Sequence, residues 1–454
     1  MRISLILLLA ASSTVLYASS PAPFTLDFSA FGGSTAVPGR TIAAELNFGF
    51  GMAVLPDGSI LAGQSTPQTA GGIEGGPSIG AVLMIPRLPN GDFGAPRQVI
   101  GGLSGPVTNV RRMPDGTILV DAGAASGRTI TFYDTGYTLL GTINFTYAPG
   151  LWWHSTGMSL AVPGAGGTHD TYFIVGSQSD NAAGPQIQTS GLVTASLNPA
   201  SVYKMTVRPL PGSIQVVSQP VQIADGLRNP YALSLDSLGN LILADNGQDA
   251  TASGTGADTL NRVPAASIGN SVTHFGFPDS YTDFATCNRI DGNPNAIRPL
   301  AAICLIPNDV SQGVAGMAFV SPGSGPFAGN QGGEFMGFHG VKNAAGPANN
   351  ENALLYYDFQ SNQYHPIVHA GTNGIGHPDT LLVSGTSLYI LDMSSQGTVN
   401  GPAGNGTSQL YEFPLSAFSF SPSLAAPATA PAPRATPSAW HSRRRGSRCR
   451  SSPT

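Results

Sequence analysis

Leu55-Pro56-Asp57-Gly58-Ser59-Ile60-Leu61 recurs as Met113-Pro114-Asp115-Gly116-Thr117-Ile118-Leu119. In each copy a Pro-Asp-Gly turn joins two short apolar runs. Pro presets the first turn position, and Gly accepts the positive φ that closes the turn. Met52-Ala53-Val54 before the first turn and Ile60-Leu61 after it are short apolar runs, so the unit predicts a β-hairpin. Looser copies follow along the chain. Leu160-Ala161-Val162 leads to Tyr172-Phe173-Ile174-Val175, and Leu233-Ser234-Leu235 leads through a Gly turn to Leu241-Ile242-Leu243. Met317-Ala318-Phe319-Val320 leads to Glu334-Phe335-Met336, and Thr380-Leu381-Leu382-Val383 leads to Leu388-Tyr389-Ile390-Leu391. Six hairpins separated by longer segments predict an all-β fold of six blades around a channel, a six-bladed β-propeller. A two-sheet sandwich is the alternative, but long segments between strand-turn-strand units suit it less.

Composition points the same way. The 454 residues include 58 Gly and 37 Pro, and only 10% are charged, which excludes a helix-rich surface studded with Lys and Glu. The formal net charge of −5 is spread without an extended basic face, so nucleic acid is not an expected partner. The single basic cluster, Arg443-Arg444-Arg445 with Arg448 and Arg450, sits in the terminal tail.

The ends read separately from the body. Residues 1–20 have a basic start at Arg2, an apolar run from Ile3 to Ala11 and small residues at Tyr17-Ala18-Ser19-Ser20, which is the pattern of a secretory signal. The apolar run is short for a membrane span, and no later segment is long and apolar enough for one. The expected location is therefore periplasmic or extracellular. The propeller is expected over 21–418. Residues 419–454 turn to Ala, Pro, Ser and Arg, a composition that cannot bury enough apolar surface to order itself. Cys287 and Cys304 flank a loop-like stretch, so an oxidising compartment favours their pairing, while Cys449 is left over in the tail.

One ordered series carries more specific information. Gly226-Leu227-Arg228-Asn229-Pro230 runs into Asp236-Ser237-Leu238-Gly239-Asn240, then Asp245-Asn246-Gly247, Asp258-Thr259-Leu260-Asn261 and Phe275-Gly276-Phe277-Pro278. In this order it resembles the fourth-blade signature of the soluble quinoprotein glucose/sorbosone dehydrogenase family. Gly51 to Gly58, His154-Ser155-Thr156-Gly157, Gly176-Ser177-Gln178, Gly316-Met317-Ala318-Phe319 and His339-Gly340-Val341-Lys342-Asn343 are similar to further family segments. The resemblance covers roughly Phe48 to Phe413.

The resemblance implies a six-bladed propeller that oxidises a sugar or polyol hydroxyl, passing hydride to pyrroloquinoline quinone (PQQ) and thence to an external electron acceptor. By position, His154 is implied as general base, suited by an ordinary pKa near 6.5. Arg228 is implied at the quinone oxygens, where a permanently charged guanidinium stabilises developing negative charge. Asn229, Gln178, His339 and Lys342 are implied as further cofactor contacts. The backbone carbonyls of Gly247 and Gln248 are implied as ligands of a Ca²⁺ that polarises the quinone. Asp245 and Asp258 read as turn or capping carboxylates.

The chain also departs from the family pattern. Trp153 stands where an acidic or polar residue is common, and Val341-Lys342 replaces a Ser-Trp pair. His377-Pro378 replaces an Arg-Pro, and Asp258-Thr259-Leu260-Asn261 is one carboxylate short. A charge-assisted contact contributes about 1.5–3 kcal/mol, so two losses weaken a bound anion severely. The alternative function is a propeller that keeps the scaffold without catalysis and binds carbohydrate or protein at the same mouth. A metal-dependent lactonase-like hydrolase is a third reading, and it would need several convergent acidic ligands.

Overall fold

The computed structural model describes residues 19–31, 33, 36–69, 78–124, 127–148, 154, 157–249, 255–304, 313–323, 331–340, 346, 353–397 and 402–415. The expected signal up to residue 18, the tail from 419 and the candidate contact Lys342 lie outside them. Ser20, placed at the end of the signal by the sequence, begins a strand.

Six sheets form the blades. Blade 1 holds strands Met52–Val54, Ile60–Pro67, Ser78–Ile85 and Arg97–Ser104. Blade 2 runs outward from Val107–Arg112 through Ile118–Ala124, Gly127–Tyr133 and Leu139–Thr146 to two further strands at Ile187–Gly191 and Ser196–Leu197. Blade 3 contains Ser159–Pro163, His169–Val175, Ser201–Leu210 and Ser213–Asp225, with Thr273–His274 added in parallel. Blade 4 contains Asn229–Leu235, Leu241–Asn246, Asp258–Val263 and Ala301–Ile303. Blade 5 contains Val314–Val320, Gly333–Phe338, Leu354–Asp358 and Gln363–Val368. Blade 6 joins Thr380–Ser384, Ser387–Asp392 and Ser408–Pro414 to the N-terminal strands Val37–Leu46 and Ser20–Leu26.

The first strand of each blade packs against the first strand of the next, and that of blade 6 against blade 1, so the ring is closed. The six hairpins legible in the sequence are the two innermost strands of the six blades. Three of their turns share one chemistry. Asp57 accepts the Ser59 amide (2.9 Å) and hydroxyl (3.0 Å) around Gly58 at φ 83°. Asp115 does the same with Thr117 (3.2 and 2.8 Å), and Asp236 accepts the amides of Leu238 and Asn240 at 2.9 Å each. Apolar side chains between neighbouring sheets supply the core, including Phe48, Leu243, Val314 and Leu355 in its largest cluster. Among the described residues there is no α-helix, and hence none that could cross a membrane.

Blade 4 is interrupted between Val263 and Ala301 by an insertion with its own two-stranded ribbon, Ser280–Thr282 and Arg289–Asp291. Cys287 and Cys304 are disulfide-bonded, with Cα atoms 5.7 Å apart, and fasten this insertion to the blade.

Candidate active site

The Asp-Gly turns fix one end of the propeller, so the opposite end collects what precedes each innermost strand and follows each second strand. His154, Gln178, Arg228, Asn229, Gly247, Gln248 and His339 all fall in those positions. Antiparallel pairing thus brings residues nearly 200 positions apart to one face.

At the junction of blades 3 and 4, Ser177 ties two of them together. Its amide donates to the Arg228 carbonyl (2.8 Å), and its hydroxyl donates to the Ser179 carbonyl (2.7 Å). With that proton committed, Ser177 Oγ can only accept from His154 Nδ1, 2.8 Å away. The proton therefore sits on Nδ1, and Nε2 carries the lone pair. A Cβ on Gly176 would collide with the His154 backbone, which explains a glycine there.

The expectation that His154 titrates near neutrality is corrected. Its ring is buried, and burial together with the nearby Arg228 charge lowers its pKa to about 3, against a smaller opposing effect of the hydrogen bond to Ser177. Charging an imidazole there costs desolvation and repulsion. His154 is neutral at pH 7, and its Nε2 lone pair is weakly basic.

Arg228 is also buried, and it is not left open. Its Nε lies 2.7 Å from Asp180 Oδ1, a charge contact off the N–H axis, and Nη2 lies 2.9 Å from Asp249 Oδ2. Among the described residues Nη1 makes only a long 3.5 Å contact, with the Asn246 carbonyl. The backbone is fixed from beneath: Asp245 accepts the amides of Arg228 (3.1 Å) and Asn229 (2.8 Å). Burial raises the Asp245 pKa to about 7, opposed by those two hydrogen bonds. Asp258 accepts the amides of Gly247 (2.8 Å) and Gly313 (3.0 Å), linking blade 4 to the start of blade 5. Asp245 and Asp258 are thus structural clamps, as their turn context implied.

The other expected contacts divide. Asn229 Nδ2 is spent on Asn246 Oδ1 (2.8 Å), and Gln248 Nε2 on Asn181 Oδ1 (2.9 Å). Their oxygens, Asn229 Oδ1 and Gln248 Oε1, are buried and accept no hydrogen bond from the described residues. Buried neutral oxygens of this kind fit an oxygen-seeking cation such as Ca²⁺. The Gln248 carbonyl accepts the Gly256 amide at 2.8 Å, so only its second lone pair remains for a metal. Among the described residues no group of three or more His, Cys, Asp or Glu side chains could hold a metal by itself. Gln178 lies in a turn closed by its amide on the Ala183 carbonyl (2.8 Å). His339 sits across the mouth on blade 5, its Nδ1 donating to the buried Asp379 carboxylate (2.8 Å) and its ring stacked 5.0 Å from His377. His377, standing at the Arg-Pro position, donates to the His339 carbonyl.

Beside Arg228, the insertion contributes Phe275, Tyr281 and Arg289 to a crevice of about 40 Å³. That admits a water or an ion; a ring system would have to lie on the open mouth. Nothing in the sequence pointed to Asp180, Asp249 and Asp379 or to a role for Ser177, because single Asp and Ser residues in loops carry no periodic signal.

Fold and site together define a closed six-bladed propeller whose mouth joins a neutral histidine to a carboxylate-held arginine. Among solved structures, the chain is similar to the PQQ-bound aldose sugar dehydrogenase of Streptomyces coelicolor, with 18% identity and a TM-score of 0.49 over 84% of this chain and 98% of that one. It is similar also to the PQQ domain of pyranose dehydrogenase from Coprinopsis cinerea, with 13% identity and a TM-score of 0.48 over 82% and 94%. A gluconolactonase from Xanthomonas campestris matches at 12% identity and 0.40 over 87% and 97%. At these identities and scores the likeness is one of chain course and carries no chemistry. No protein-family model and no curated protein matches the chain.

Proposed function

We propose that the chain is an exported quinoprotein dehydrogenase that oxidises a sugar or polyol hydroxyl. The observation that carries this reading is the Ser177 bridge, which couples a histidine of defined tautomer to Arg228 at the propeller mouth. When bound, PQQ would supply the hydride acceptor, and Ca²⁺ would polarise it. His154 Nε2 would take the substrate hydroxyl proton as the C–H bond breaks. The N–H groups of Arg228 Nη1 and Nη2 not held by Asp249 would face developing negative charge, with Asp180 and Asp249 fixing the guanidinium plane. Asn229 Oδ1, Gln248 Oε1 and the carbonyls of Gly247 and Gln248 would hold the cation. Asp379 would orient His339 at the far side of the mouth.

Titrating the purified protein with PQQ, with and without Ca²⁺, and following quinone absorbance and dye reduction with aldoses and polyols tests this. His154→Ala is expected to bind quinone and lose turnover, and Arg228→Ala to lose both. Absence of quinone binding at micromolar concentration overturns the reading. A second reading, a sugar-binding propeller without catalysis, is favoured by the lowered basicity of His154 and the double carboxylate pairing of Arg228. Saturable sugar binding without quinone binding would identify it.

A further inference from the structure

The face away from His154 carries a larger hollow. A groove of about 580 Å³ opens between the 236–240 turn of blade 4 and the Pro322, Gln331 and Phe359 positions of blade 5. Small-ligand sites typically measure about 300–1,000 Å³. Arg262, on strand Asp258–Val263, supplies its positive charge. The guanidinium lies over the Phe359 ring at 5.5 Å, and Phe359 is itself stacked on Phe319 (6.2 Å) and set edge-on to Tyr357 (5.7 Å).

Several arginines, Arg111 and Arg208 among them, lack an ion pair among the described residues, and of these Arg262 alone lines this groove. Arg40, Arg87, Arg128, Arg228 and Arg289 each pair with a carboxylate. Arg262 forms no ion pair among the described residues, and its Nε is buried without a hydrogen-bond partner. Asp236 lines the same groove but is committed to its own turn: Oδ1 accepts two backbone amides, and Oδ2 accepts Asn240 Nδ2 at 2.7 Å. Asn362, which also lines the groove, accepts the Tyr357 hydroxyl on Oδ1 (3.0 Å), and that bond does not use its Nδ2 donor. Leu238, 79% exposed, gives an apolar wall. A planar cation held by stacking, amide donors beside it and an exposed apolar side chain together match a carboxylate attached to a hydroxylated carbon frame.

We propose that this groove is a second binding site, for a small hydroxylated carboxylate of the sugar-acid class. Its carboxylate would pair with Arg262, its hydroxyls would meet Asn362 and Gln331, and its carbons would lie against Leu238. The site needs nothing from the His154 face.

Calorimetric titration of the protein, without quinone, with sodium gluconate tests it, with glucose and sodium acetate in parallel. Saturable gluconate binding is expected, with glucose at least tenfold weaker because it lacks the carboxylate. Arg262→Ala should weaken gluconate at least tenfold, and Arg262→Lys severalfold, since lysine keeps the charge and loses the fork. His154→Ala and Arg228→Ala should leave gluconate binding unchanged. No gluconate binding at millimolar concentration, equal binding of glucose, or unchanged affinity in Arg262→Ala would each overturn the proposal. If Arg262→Ala loses its thermal transition, Arg262→Lys decides, and wild-type affinity there overturns it. A protein that binds gluconate but no quinone would sink the dehydrogenase reading and leave this one standing.

Discussion

His154 ties stability to acidity, because its folded-state pKa of about 3 lies below the ordinary value of 6.5. Between those values the unfolded chain binds a proton that the folded one refuses, so the contribution of His154 is lost as pH falls from 6.5 toward 3. The slope in that window is about 1.4 kcal/mol per pH unit. Asp245 and Asp392 act oppositely: burial raises both to about 7, so their contribution is present at low pH and lost as pH rises from 3.8 to 7. The clean measurement is therefore a difference: urea denaturation of His154→Gln against the parent, from pH 4.5 to 7.5. The variant should gain relative stability as pH falls below 6.5, and a constant difference would contradict the buried neutral ring. On the dehydrogenase reading proposed above, Ser177→Ala should lower kcat roughly 10–100-fold with little change in KM, because the tautomer is no longer fixed. Equal losses in both constants would point to a general packing defect instead.

The elements divide into those the sequence announces and those it does not. Pro56-Asp57-Gly58 and Pro114-Asp115-Gly116 declare their hairpins because the turn needs that local chemistry, whatever surrounds it. The inner pairs of blades 1 and 2 were legible for this reason, and those of the other blades from short apolar runs facing each other across a turn. The third and fourth strands, such as Arg97–Ser104 or Gln363–Val368, have one side exposed and no diagnostic turn, so pattern alone did not separate them from loops. His154 and Arg228 were legible only through resemblance; the carboxylates that hold Arg228 were invisible, since Asp180 and Asp249 meet it only through tertiary folding. Two element-level outcomes follow from the clamps. Asp245→Ala strands two buried amides and should cost about 2 kcal/mol or more in denaturant unfolding. Cys287→Ser opens a loop spanning 17 positions and should cost about 3 kcal/mol, with dithiothreitol producing the same midpoint shift in the parent and none in the variant.

The whole molecule is shut by strands from both ends of the chain. Val37–Leu46 pairs with Ser408–Pro414, and Arg40 bridges to Glu412 (2.6 Å from Nη2, 2.8 Å from Nε) across that seam. Burial works against the Glu412 charge, but Arg40 and two hydroxyl groups hold its pKa below the ordinary value. Phe24 packs on Tyr411 and Phe413, with ring centres 5.0 and 5.1 Å apart. Phe24→Ala should therefore destabilise the entire ring by about 3–5 kcal/mol, seen as one lowered thermal transition. A second, earlier transition confined to blade 6 would show that the seam opens independently. This closure also sets a timetable. The N-terminal partner strand leaves the ribosome some 360 residues before the strand it must meet, a wait of roughly 20–70 s at about 5–20 residues per second. Throughout that interval Val37–Leu46 has only Ser20–Leu26 to pair with, and its other edge, the one that Ser408–Pro414 will fill, is open to a stranger. The order of the blades thus leaves one strand edge unmatched until the last strand of the ring is made.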